Sequence, residues 1–189
     1  MIKKQTGFSL VELVVVIVVV GLLAVAALPR FLDVTDEAKK ASIEGVAGGF
    51  ATGVLSARAQ WEAEARPSKT SGEEKQNYVN YDGVEFWLTR SEESNGSSTG
   101  YRDGYPIGLV DENAGYPTQL TDLACINLME NLLQNPPKVD TVKIAETNRD
   151  VKYSAQTDGD SCIYIQQEGG TEHQFEYEVK TGRVTVTLQ

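Results

Sequence analysis

Side chains able to do chemistry are few in this chain. One histidine, His173, stands in a Gly-Gly-Thr-Glu-His loop, so neither a serine triad nor a multi-histidine metal site can be assembled, which argues against an enzyme. Asp158 and Asp160 flank a glycine and offer oxygen ligands of the kind calcium takes, but without the spacing of a recognised calcium loop. They read as a solvated turn, and no metal or cofactor is assigned. Two cysteines, Cys125 and Cys162, read as a disulfide if the body lies outside the cytoplasm and as buried thiols if it does not. The remaining candidate is an acid in an awkward place. Glu12 fronts an otherwise uncharged run from Leu13 to Pro29, where burying a carboxylate costs on the order of 2.5 kcal/mol or more.

The elements around Glu12 decide what it can do. Residues 1–30 carry Lys3, Lys4 and Arg30 against this one acid, a balance of +2, so of the net charge of −10 the rest of the 189-residue chain carries −12. An acidic body argues against nucleic acid as a partner, since backbone binding needs clustered Lys and Arg. With 41% hydrophobic residues the chain can bury a core. Lys3 and Lys4 precede the apolar run, and the positive-inside rule keeps that end cytoplasmic while the rest crosses, which favours the bridged reading of the cysteines.

The first thirty residues admit three readings. A cleaved secretory signal would use Ala24-Val25-Ala26 as its small-residue site but leaves Glu12 and Gln5-Thr6-Gly7 unexplained. A plain signal anchor tolerates Glu12 only as a cost. The third reading uses every residue: Lys3-Lys4-Gln5-Thr6-Gly7, then Phe8-Ser9-Leu10-Val11-Glu12, the apolar run and Pro29 resemble the class III leader of type IV pilins. The resemblance implies cleavage by prepilin peptidase after Gly7, N-methylation of the new terminus at Phe8, and neutralisation of a neighbouring subunit's terminal amine by Glu12. It also implies an assembly role for the helix around Pro29. A charge held in apolar surroundings is retained when paired, and that amine is a fitting partner. Leu10 through Asp33, and Pro29-Arg30-Phe31-Leu32-Asp33 in particular, are similar to the mannose-sensitive haemagglutinin (MSHA) pilins. The long loop, Tyr101 to Gly108 and the terminal strand pair look closer to the minor, B-type subunit of that system than to its major pilin.

Beyond Phe31 the pattern turns amphipathic. Val46, Phe50 and Val54, followed by Ala57 and Trp61, continue a helix toward Pro67, about 87 Å long if unbroken from Phe8 to Ala65. Gly21 and Pro29 weaken its continuity. Gly45, Gly49 and Gly53 form an adjacent stripe suggesting close backbone approach, either beneath a sheet or between subunits. Tyr78 to Leu88 reads as a hairpin turned by Asp82-Gly83, Ser91 to Gly104 as an exposed loop, and Leu120 to Leu133 as a short helix closed by Pro136-Pro137. Val151–Ala155, Cys162–Gln166, Phe175–Val179 and Val184–Leu188 read as strands. Tyr78, Tyr81, Trp87, Tyr101, Tyr105 and Tyr116 could include sugar-stacking residues, though packing is the usual use of aromatics.

The expected organisation is α+β: a type IV pilin fold with a long N-terminal helix packed on an antiparallel sheet, and one disulfide. It divides into a leader at 1–7, a membrane and filament-core helix at 8–30, the amphipathic half of that helix at 31–66, and a globular head at 67–189. The resemblance implies as partners other pilin subunits, prepilin peptidase, an inner-membrane assembly platform, and the membrane before assembly. The chain would sit in the inner membrane as a single pass with its N-terminus cytoplasmic, then in an extracellular pilus, contributing to surface attachment. Two rivals stand beside this reading: a type II secretion pseudopilin, and a signal-anchored or secreted binding domain.

Overall fold

A computed structural model describes residues 7–111, 115–168 and 172–189. Residues 1–6, with Lys3 and Lys4, lie outside them, as does the Gly-Gly-Thr of the His173 loop. The described residues fall into two compact units, divided between Ala41 and Ser42. One helix, α1 (Leu10–Ala63), runs through both. Its backbone is helical at Gly21 and at Pro29, so neither residue interrupts it.

Within the second unit, the head, α1 presents one apolar face. Ile43, Ala47, Phe50, Val54, Ala57 and Trp61 recur at alternating spacings of four and three, and all are buried. The face anticipated from sequence was set slightly off this line: Val46 is only partly covered, and Ile43 and Ala47 take the core positions. The helix ends in two left-handed residues, Ala65 and Arg66, where the Arg66 N–H donates to Trp61 O at 2.9 Å.

Two sheets follow. The first has four antiparallel strands in order: β1 (Ser68–Ser71), β2 (Glu74–Tyr81), β3 (Val84–Leu88) and β4 (Pro106–Leu109). Asp82 and Gly83, both at positive φ, make the expected two-residue turn between β2 and β3. The edge strands β1 and β4 go beyond the sequence reading, because Ser-Lys-Thr-Ser has no apolar alternation and β4 opens on a proline. After β4 comes a short helix, α2 (Asp122–Leu132), N-capped by Thr121, whose hydroxyl accepts from Ala124 N. Its buried face is Cys125, Ile126, Leu128, Met129 and Leu132, while Leu123, expected on the apolar side, is 64% exposed.

The second sheet orders β5 (Val139–Thr141), β6 (Tyr153–Asp158), β7 (Ser161–Gln166), β8 (Gln174–Glu178) and β9 (Arg183–Thr187), with one turn of helix, α3 (Val142–Ala145), after β5. Its strands are antiparallel except that β5, a three-residue strand too short to show in the sequence, pairs parallel with β6. The α+β fold with α1 on antiparallel strands is as expected, with two sheets in place of one.

Phe50 joins α1 to the second sheet, its ring 5.2–5.7 Å from those of Tyr164, Phe175 and Tyr177. Near the helix end, Gln60 Nε2 donates to Asn80 O of β2 and Trp61 Nε1 to Pro67 O. Buried hydroxyls tie the remaining layers: Tyr164 donates to Cys125 O at 2.7 Å and Tyr177 to Pro106 O at 2.8 Å. Beside Tyr164, the Cys125–Cys162 disulfide links α2 to β7 across 37 positions, a closure worth about 3–4 kcal/mol by chain entropy.

The glycine stripe resolves residue by residue. A Cβ on Gly53 would lie 2.4 Å from Leu132 O at the end of α2, and one on Gly49 3.1 Å from Leu133 Cδ2, whereas Gly45 faces open space. Close approach within the chain therefore accounts for Gly49 and Gly53. Gly53→Ala will destabilise the head by about 1–3 kcal/mol, while Gly45→Ala will leave it unchanged or stabilise it by up to about 1 kcal/mol. Thermal unfolding of the detergent-solubilised chain, followed by circular dichroism, reads both; equal shifts would contradict this packing.

Buried tyrosines also set an alkaline limit. Burial pushes Tyr116 and Tyr153 up to about 12, and raises Tyr164 and Tyr177 well above the ordinary value. Because the fold favours their protonated form, that stability is intact below pH ~10 and is lost as pH rises toward 12. Phenolate absorbance at these positions should appear late and together with loss of near-ultraviolet dichroism. Full ionisation near pH 10 with the fold intact would refute it.

Candidate processing and assembly site

Gly7 and Phe8 lead directly into α1, and the Phe8 side chain is 85% exposed. Helix starts leave backbone N–H groups without partners, and here Ser9 and Glu12 supply them reciprocally. Ser9 N–H donates to Glu12 Oε2 at 3.0 Å, and Glu12 N–H donates to Ser9 Oγ at 3.2 Å. This is a capping box, and its Ser-x-x-Glu signature stands in the sequence at Ser9-Leu10-Val11-Glu12. The reading of Glu12 purely as a charge awaiting an opposite charge overlooked it. The carboxylate has a local role that Oε2 fills, and among the described residues no donor is placed on Oε1.

From Leu10 to Leu28, 19 residues are long and apolar enough to cross a membrane, and none is buried. The valines and leucines here lie on every side of the helix, so no single face is set apart for a core. Such a surface needs lipid or other apolar helices around it. At Pro29 the backbone continues helical.

Other sequence candidates are placed within the head. Asp160 is held by Lys180 Nζ at 2.6 Å and by the Tyr101 hydroxyl, and these hydrogen bonds keep its carboxyl below the usual range. Asp158 is exposed in the same turn. Among the described residues, no group of three or more His, Cys, Asp or Glu is placed to hold a metal ion. His173 is buried, its Nδ1 accepting from Gln189 N at 3.0 Å, so it ties down the C-terminal strand. Of the aromatics, Trp87 and Tyr105 are core residues, while Tyr101 and Tyr116 line an open groove of about 710 Å³ with Arg90 and Gln76.

Comparison with known proteins bears on the N-terminal segment. Residues 2–28 match the family described as "Prokaryotic N-terminal methylation motif". In its N-terminal part the chain is 46% identical over 44 residues to the "Type IV narrow pilus major component PilA5" of Thermus thermophilus, a match spanning 23% of this chain and 38% of that protein. No solved structure matches. The chain thus carries a type IV pilin leader motif, followed by an apolar helix.

The cap predicts a local effect. Ser9→Ala removes a bond worth about 1 kcal/mol, so hydrogen exchange of the Glu12 amide in micelles should accelerate about fivefold. Unchanged exchange there would mean that Ser9 does not cap α1.

Proposed function

We propose that this chain is a structural subunit of a type IV pilus, a minor component of an MSHA-like system. Prepilin peptidase cuts after Gly7, and Phe8 becomes the N-methylated terminus. The segment 8–30 holds the chain in the inner membrane with its N-terminus cytoplasmic until the assembly platform draws it into an extracellular filament. One observation carries this reading: a methylation motif over residues 2–28 coincides with an uncovered apolar helix that bears an acid at its first turn. The work of such a subunit is structural, with a contribution to surface attachment.

Glu12 has the assembly role. Oε2 accepts from Ser9 N–H within the chain, and the free oxygen meets the protonated amine of a neighbour's Phe8. A displaced neighbour would leave both charges unmatched in apolar surroundings, so the pair selects register as well as partner. The Cys125–Cys162 bridge suits a head exposed to an oxidising exterior.

Mass spectrometry of the mature N-terminus is the test. N-methyl-Phe8 is expected; Ala27 would indicate an ordinary signal peptidase and an intact Met1 an anchor, and either would refute the pilin reading. Recovery of the chain in purified surface pili separates a pilus subunit from a pseudopilin, and immunogold at sparse positions along the filament separates a minor from a major subunit. Glu12→Ala should leave cleavage at Gly7 intact while reducing incorporation. Normal subunit content in the pili would count against the pairing.

A further inference from the structure

The segment expected to be a loop, Ser91 to Gly104, begins with a small hairpin. Glu92 bridges Ser98, Glu93 N–H donates to Ser97 O at 2.8 Å, and Gly96 N–H donates to Glu93 O at 2.9 Å with Gly96 at φ +81°. A tight turn followed by a left-handed glycine is a common three-residue hairpin connection. Its base is pinned by Asp103, which accepts from Ser91 N at 2.6 Å and from Ser91 Oγ at 2.9 Å. Everything from Glu92 to Ser98 is exposed.

Asn95 sits at the tip. Of eight asparagines in the chain it alone is followed by the Asn-x-Ser/Thr pattern, Asn95-Gly96-Ser97, and it also has an acid two residues before it, Glu93. The three alternate residues meet in space: Asn95 Oδ1 accepts from Ser97 N at 2.7 Å, and Asn95 Nδ2 lies 3.4 Å from Glu93 Oε2. The amide nitrogen thus stands on an exposed turn beside the Glu93 carboxylate, with the Ser97 backbone held against its own amide oxygen.

We propose that Asn95 is an acceptor for an N-linked glycan, with a lipid-diphosphate-linked oligosaccharide as donor. In the transfer, Nδ2 attacks the anomeric carbon and a C–N bond forms. The bond from that carbon to the diphosphate oxygen breaks, the lipid diphosphate leaves with the electron pair, and one amide proton passes to a carboxylate of the transferase. No oxidation state changes. The inference rests on the proposed export of the head, because donor and acceptor must meet outside the cytoplasm. On the filament, a glycan at this tip would cover the hairpin and its acids Glu92 and Glu93 with a hydrated layer.

Trypsin cutting after Arg90 and Arg102 releases residues 91–102 as one peptide. The protein is to be taken from surface filaments of the cells that natively produce it, and the peptide sequenced by electron-transfer dissociation. A saccharide on Asn95, lost in Asn95→Gln and retained in Ser97→Thr, is the expected result. An unmodified peptide, one bearing sugar only on serine or threonine, or one merely deamidated at Asn95-Gly96 overturns the proposal. The same digest reports the N-terminus: methyl-Phe8 beside a bare Asn95 sinks the glycan alone, whereas an unprocessed N-terminus sinks the pilin reading with it.

Discussion

Covering the stripe from Ile43 to Trp61 is the constraint to which the head's two sheets answer. Burying each of its larger side chains contributes about 1.5–3 kcal/mol. Phe50 takes the second sheet through three aromatic rings, and Gln60 and Trp61 meet the first sheet and its entry strand. Between them α2 approaches so closely that Gly53 has no room for a side chain. The disulfide and the Tyr164 hydroxyl then fix α2 to the sheet that Phe50 has already seated.

The same helix has two kinds of surface. From Leu10 to Leu28 it is apolar all round and uncovered, and from Ile43 onward it is apolar on one side and covered by its own chain. A uniform surface matches lipid or a bundle of like helices, whereas a one-sided surface fits a single fixed sheet. That division separates a surface suited to lipid or like helices from one already used by the chain's own sheets.

Legibility from sequence followed the strength of the local signal. The apolar run, Asp82-Gly83, the paired cysteines and the last three strands carry patterns of period or turn chemistry that survive in the fold. β1, β4 and β5 carry none: Ser-Lys-Thr-Ser owes its extended form to pairing with β2, and the parallel pairing of Val139–Thr141 depends on a neighbour distant in sequence. The α2 face was read about one residue off because Leu123 is apolar yet exposed, and only tertiary packing selects between adjacent lines on a short helix. At the N-terminus Gly7, Phe8 and Glu12 stood out through their resemblance to a leader, but the Ser9–Glu12 cap was missed although its signature is local.

The six-residue stripe also sets how the head meets mechanical load. A pull along α1 would not peel its contacts one at a time; Ile43, Ala47, Phe50, Val54, Ala57 and Trp61 lie in line, so they would have to slip together in shear. Phe50, lodged among three rings, resists that sliding like a tooth in a rack. The Cys125–Cys162 bridge closes the loop behind it, so that strain reaching β7 is shared with α2 through a covalent link.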